Sequence, residues 1–210
     1  MYFKVLREGK SWHGGEWEWS LPQPDGKGGY TPGEWQCDGS ALPDLCVRGF
    51  HLTDKPGLWW GEGAQAFVAE YEGAVDGPTA DGDKIAVQRC RLLRPATHDE
   101  LAATGLFLSG EHRAYGNATV KAYGNATVEA YGNATVEAYG NATVEAYGNA
   151  TVEAYDNATV EAYDNATVAA TAHATVTATA HATASAVYTL KHNAVLVDRR
   201  NGRPVCTVAA

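Results

Sequence analysis

From Ala114 to about Val187, small apolar and polar residues alternate with a period of two. Even-numbered positions carry Ala, Val, Ala and Gly or Asp; odd-numbered positions carry Asn, Thr, Glu and Tyr. The alternation sits inside a longer repeat, AYGNATVE, which returns every eight residues. Asparagine stands at Asn117, Asn125, Asn133, Asn141, Asn149, Asn157 and Asn165, and valine at every eighth position from Val120 to Val176. Two degenerate copies follow, with His173 and His181 in the asparagine place. Successive side chains of a strand point to opposite faces, so an even-numbered repeat never loses its phase and every valine falls on one face. A helix of 3.6 residues per turn would scatter the same valines around its circumference. The spacing therefore predicts strands, against the helical preference of alanine taken alone. Gly-Asn, replaced by Asp156–Asn157 and Asp164–Asn165 in later copies, supplies a turn that tolerates left-handed backbone.

Short strands joined by corners at a fixed interval predict a β-solenoid, each octad giving one strand (ATVEAY) and one corner (GN). The interior is then Ala-Val-Ala, thin enough to bring the sheets closer than the usual ~10 Å. Two octads per coil, roughly 16 residues, suit a flattened coil lined with small residues, whereas three, roughly 24, would make it triangular. On the outside, like residues stack about 4.8 Å apart in Thr, Glu and Tyr files. Glu129, Glu137, Glu145, Glu153 and Glu161 fall in one or two such files, broken only by Lys121. Repulsion between neighbouring carboxylates is expected to raise their pKa. Tyr115, Tyr123, Tyr131, Tyr139, Tyr147, Tyr155 and Tyr163 form an outward aromatic stripe.

Outside the repeat the alternation is shorter-ranged. YFKVLR, GEWEWS, TPGEWQ, CVRGFHLT, QAFVAEYEG and DKIAVQRCRLL each predict a strand, and HDELAAT (98–104) a short helix starting near Thr97 or His98. This makes 1–112 a small β-rich, α+β domain, 113–190 the octapeptide-repeat solenoid, and 191–210 a C-terminal cap. In the last segment, AVLVDRRNGRPVCTV places two alternating runs around Asn201–Gly202, a strong hairpin signal, with Arg199, Arg200 and Arg203 near the turn.

The run Cys46-Val47-Arg48-Gly49-Phe50-His51, the FVAEYEG segment and DKIAVQRCRLL, followed by GNATV-type repeats, resemble an uncharacterised bacteriophage and prophage family. That family has an N-terminal C-x-x-G-F-H domain of unknown function and tandem repeats behind it. The resemblance covers most of the chain and implies a phage origin and this architecture; it implies no activity. The expected location is the cytoplasm of a bacterial host or the virion.

Charge refines the picture. The net charge of −9 divides into −7 over residues 1–112 (17 acids, 10 bases), −5 over 113–190 (7 acids, 2 bases) and +3 over 191–210 (1 acid, 4 bases). An acidic chain is unsuited to binding nucleic acid through phosphate neutralisation, and it suits basic partners. No run of about 18 apolar residues is present, so no membrane span is expected. MYFKVLREGK has no apolar segment behind its charges, so no secretory signal is expected and the repeated N-x-T triplets carry no glycosylation reading. Four cysteines without such a signal read as thiols.

Candidate chemistry is sparse. Cys37, Cys46, His51 and Cys90 are a conceivable zinc set, but their spacing lacks the close cysteine pairs of zinc sites, so buried thiols are the plainer reading. His51 with Glu70 or Glu72 gives an ADP-ribosyl-transfer-like alternative, set against a structural histidine. Trp12, Trp17 and Trp19 are suited to stacking on a sugar or base, or to core packing. Thr175, Thr177 and Thr179, with the threonines in register before them, give an ice-binding alternative that the flanking Tyr and Glu would spoil. The pattern as a whole points to a non-catalytic structural or interaction protein without cofactor. Its rigid acidic and tyrosine-lined surface would serve self-association or a host protein, a DNA mimic included.

Overall fold

The computed structural model describes residues 1–11, 17–37, 39, 42–44, 49–80, 82–182, 187–200 and 205–209. It is a mainly β protein whose chain forms two compact units, Met1–Thr104 and Gly105–Ala210.

The first unit contains β1 (Tyr2–Arg7), β2 (Lys10–Ser11), β3 (Gln23–Pro24), β4 (Tyr30–Thr31), β5 (Gln36–Cys37), β6 (Phe50–Leu52), β7 (Ala64–Asp76), β8 (Ile85–Pro95) and α1 (His98–Ala102). Its main sheet runs β2-β1-β7-β8-β5, with β6 also pairing β8, and all these pairs are antiparallel. Leu6, Trp19, Phe50, Leu52, Phe67, Ile85, Val87, Cys90 and Leu92 pack together as its core. The strands expected in YFKVLR, QAFVAEYEG and DKIAVQRCRLL are present. Of GEWEWS only 17–20 lie among the described residues, and they are irregular; TPGEWQ contributes only its ends to β4 and β5. Trp17 and Trp19, two residues apart and so on one side of an extended chain, both set their rings edge-on to Phe50, at 5.2 Å, although their segment joins no ladder. Helix α1 starts where expected: the Thr97 side chain accepts from the Glu100 N–H, and the Glu100 carboxylate accepts from the Thr97 N–H.

The second unit is a β-solenoid of about five turns over residues 106–198. Its strands are β9 (Leu106–Ala114), β10 (Thr119–Ala130), β11 (Thr135–Ala138), β12 (Thr143–Ala146), β13 (Thr151–Ala154), β14 (Thr159–Asp164), β15 (Thr167–Ala170), β16 (Thr175–Ala182), β17 (Val187–Leu190), β18 (Val195–Asp198) and β19 (Val205–Val208). Parallel register joins residues 16 apart: Thr119 to Thr135, Thr135 to Thr151 and Thr151 to Thr167 on one face; Thr127 to Thr143, Thr143 to Thr159 and Thr159 to Thr175 on the other. Two octads therefore make one coil, and the coil is two-sided. The inward Val128, Val136, Val144, Val152 and Val160 and their flanking alanines are fully buried. At the corners Gly116, Gly124, Gly132, Gly140 and Gly148 have φ of 61–71°, and Asp156 and Asp164 hold the same left-handed backbone at 55° and 48°.

Both ends depart from the repeat. The first rung is β9, a segment outside the octads that pairs with β10 from Leu106 onward. At the other end the spacing lengthens to 20, with Thr167 opposite Val187 and Thr175 opposite Val195. The expected hairpin follows: β18 pairs antiparallel with β19, Val195 opposite Val208. Asn201–Gly202 and Arg203 lie outside the described residues.

Candidate interaction surface

Three outward files run side by side on each face of the solenoid: threonine, glutamate and tyrosine. The glutamates form two files. One runs Lys121, Glu137, Glu153; the other runs Arg113, Glu129, Glu145, Glu161. Each file thus begins with a cation, where the sequence alone had suggested only Lys121. Arg113 lies in β9, outside the octads, and it takes its place because the first rung is a non-repeat strand. Lys121 Nζ lies 2.7 Å from Glu137 Oε2, and Arg113 Nε 2.9 Å from Glu129 Oε2.

The tyrosines also form two files, Tyr115-Tyr131-Tyr147-Tyr163 and Tyr123-Tyr139-Tyr155. Their rings are stacked with centroids 4.5–5.2 Å apart and planes within 15°. The single stripe of seven is therefore two shorter stripes, and only Tyr115, at 59%, is exposed to the degree expected. The remaining rings cover one another. Their hydroxyls turn back along the strand: Tyr131, Tyr139, Tyr147, Tyr155 and Tyr163 each donate to the glutamate two residues earlier, at 2.5–2.9 Å.

This bond changes the electrostatics of the ladder. The Tyr131 hydroxyl, then Arg113, hold the Glu129 carboxyl below its ordinary pKa. For Glu137 burial opposes ionisation, but Lys121 and Tyr139 outweigh it, and its pKa is also lowered. At these two rungs the expected upward shift is reversed, because a charge-assisted hydrogen bond at contact distance exceeds repulsion across a screened rung. The phenols move the opposite way. Hydrogen bonding to Glu153, then burial, pushes Tyr155 up to about 12, and burial first raises Tyr123 to about 12. Among the described residues no Lys or Arg pairs with Glu145, Glu153 or Glu161, so the middle of each face is acidic without an internal counter-ion.

At one edge of the corners Asn133 donates to Asn117, Asn149 to Asn133 and Asn165 to Asn149, at 3.3–3.4 Å. The corner aspartates have a distinct task. Asp156 accepts the Gly140 N–H at 3.1 Å and Asp164 accepts the Gly148 N–H at 3.0 Å, so each satisfies a backbone donor one coil below.

In the first unit the other candidates are dispersed. His51 sits opposite Ala86 in β8; Glu72 and Glu70 sit opposite Arg89 and Arg91, three and five residues further along β8 and on its other side. The backbone thus separates His51 from either glutamate by about 10 Å or more. Both carboxylates are engaged, Glu70 with Arg91 and Glu72 with Arg89. Cys37 is exposed, Cys90 is buried with its thiol pushed up to about 12 by burial, and Cys46 lies outside the described residues. No group of three or more His, Cys, Asp and Glu placed to hold a metal occurs among the described residues. Trp19 is core; Trp17 is 41% exposed and donates to Gln36 Oε1; Trp12 lies outside the described residues.

Fold and surface together define the class: a two-sided parallel β-solenoid with glutamate and tyrosine ladders on its faces. Comparison with known proteins finds no matching family model, no similar curated protein and no similar solved structure.

Proposed function

We propose that this is a non-catalytic interaction protein, phage-encoded, whose solenoid faces bind a basic surface of another protein molecule, a host protein or a second copy. A β-solenoid is compatible with a structural or interaction role. The observation that carries the narrower reading is the set of central glutamates, Glu145, Glu153 and Glu161, each held by a tyrosine hydroxyl. A hydrogen-bonded, stacked side chain has already lost its rotamer freedom, so a partner need not immobilise it again. Carboxylates repeated at a fixed rise then present a field of one sign to a basic partner. The cytoplasm of the bacterial host, or the virion, is the setting in which such a protein would meet it.

The test is the five-fold variant with Glu129, Glu137, Glu145, Glu153 and Glu161 changed to glutamine, which keeps the shape and removes the charge. Solution mass by light scattering and binding of a deca-lysine probe are measured at low and high salt. The wild-type chain is expected to bind the probe, or to self-associate, in a salt-dependent way, and the variant to lose this with an unchanged circular dichroism spectrum. Unchanged probe binding and unchanged mass in the variant would sink the reading.

A further inference from the structure

The solenoid ends on a half coil. One face stops at β17, whose only strand neighbour among the described residues is β15; the other continues past β18 to β19. In each coil the odd-numbered residues bond back to the preceding coil, as Thr151 N–H does to Ala134 O and Lys191 N–H to Ala170 O, both 2.9 Å. The even-numbered residues bond forward. In β17 these are Tyr188 and Leu190, and their N–H and C=O groups meet no next strand among the described residues. Opposite the missing strand lies β19. Val205 pairs with Asp198, which continues the inward file of Ala178, so Val205 occupies the face that every earlier coil buries; it is nevertheless 59% exposed.

We propose that this step is a strand-acceptor site for an extended segment of a partner protein with acidic residues at its ends. Two observations select the occupant. Neither β17 (VYTL) nor β19 (VCTV) carries a charge or proline, the devices that normally keep an edge strand from pairing. The ends of the slot are basic: Lys191 follows β17 and Arg199 follows β18, both exposed, in the one segment of the chain with a positive balance, +3 over residues 191–210 against −12 for the rest. Two such ends repel each other, which disfavours pairing with the same end of a second copy and favours an acidic strand. Main-chain hydrogen bonds to β17 would supply affinity, and the gap before Val205, bordered by Tyr188 and the Asp198–Arg200 ion pair, would receive one inward side chain. This site is independent of the glutamate faces.

The probe is a fluorescent eight-residue peptide with an alternating valine-threonine centre and two acidic residues at each end, titrated with the full chain. Val205→Lys, which puts a charge into the gap, is expected to weaken binding at least tenfold. Val208→Lys, on the outward side of the same strand and 60% exposed, is expected to leave it unchanged. Lys191→Glu with Arg199→Glu should weaken binding at least tenfold and flatten its salt dependence. Circular dichroism melting confirms that each variant is folded. Equal binding of a lysine-ended peptide, or wild-type affinity in Val205→Lys, overturns the proposal. So does a full-length dimer that Val205→Lys converts to monomer, since the slot's occupant would then be a second copy.

Discussion

Lys4 is a buried lysine in the first unit. It is 8% exposed, its Nζ donates to His51 O at 3.2 Å and lies over the Trp19 ring at 4.8 Å, and burial lowers its pKa to about 8 despite the neighbouring Cys90. Above that pH the unfolded chain, with lysine near 10.4, holds a proton the folded chain has released, so stability rises with pH. Cys90 acts in the other direction. Its folded pKa of about 12 exceeds the free thiol value near 8.5, so above about pH 9 the unfolded chain loses a proton that the folded one keeps, and stability falls. Urea midpoints are therefore expected to rise from pH 7.5 to about 8.5 and then flatten. Lys4→Met should abolish the rise, and Cys90→Ala should extend it toward pH 10. A flat profile in the wild-type chain would contradict this account. Nothing in the one-dimensional pattern announced the pair: Lys4 lies in a strand whose alternation puts a charge among apolar neighbours, and only the packing of Trp19 and the β6 carbonyl over it explains why it is buried.

At the scale of the element, the corner is the most constrained part of the octad. Gly140 has φ of 66°, and a Cβ built there would lie 3.3 Å from the Gly124 nitrogen of the coil below. Gly140→Ala is expected to cost about 1–2 kcal/mol from left-handed strain, with the close contact adding to it. Gly140→Asp should cost less, because aspartate already occupies this conformation at Asp156 and Asp164 and returns a hydrogen bond to the preceding corner. Equal losses for the two variants in denaturant melts would show that strain does not govern the corner. The turn dipeptides were legible in the sequence, since Gly-Asn and Asp-Asn have one conformational preference in common. The task of the aspartates was not, because the donor each accepts lies 16 residues away. GEWEWS shows the limit of alternation: its phase does bring Trp17 and Trp19 to one ring, Phe50, but 17–20 forms no strand, because alternation sets the face a side chain takes and does not supply a ladder partner.

For the whole molecule, stability should be close to a sum over coils, each contacting mainly the coils before and after it. Removing residues 131–146 takes out one coil and joins Ala130 to Tyr147, restoring both phase and face. The shortened chain is expected to keep its β spectrum and cooperative unfolding, with a smaller urea m-value in proportion to the lost surface. Loss of cooperativity would mean that the coils depend on longer-range contacts than their neighbours. The acid side of the pH profile belongs to this scale as well. Glu129 and Glu137 have lowered folded pKa values, so what they contribute is present above the ordinary glutamate value and is lost as pH falls below it.

The sequence by itself determined the strands, the even phase, the inward Ala-Val-Ala and the left-handed corners, because each follows from local backbone geometry repeated without a break. It also determined that like residues would stack. The tertiary structure decided how often. Closing a coil at 16 residues instead of 24 depends on how two thin sheets pack, and that choice split five glutamates into two files, set Arg113 at the head of one, and brought β9 in as the first rung. It turned the tyrosine hydroxyls onto the glutamates and left the last coil half complete. Apart from the tyrosine–glutamate bond, which joins residues two apart in one strand, these are contacts between residues distant in the chain, and no local periodicity specifies which distant residue will be the neighbour.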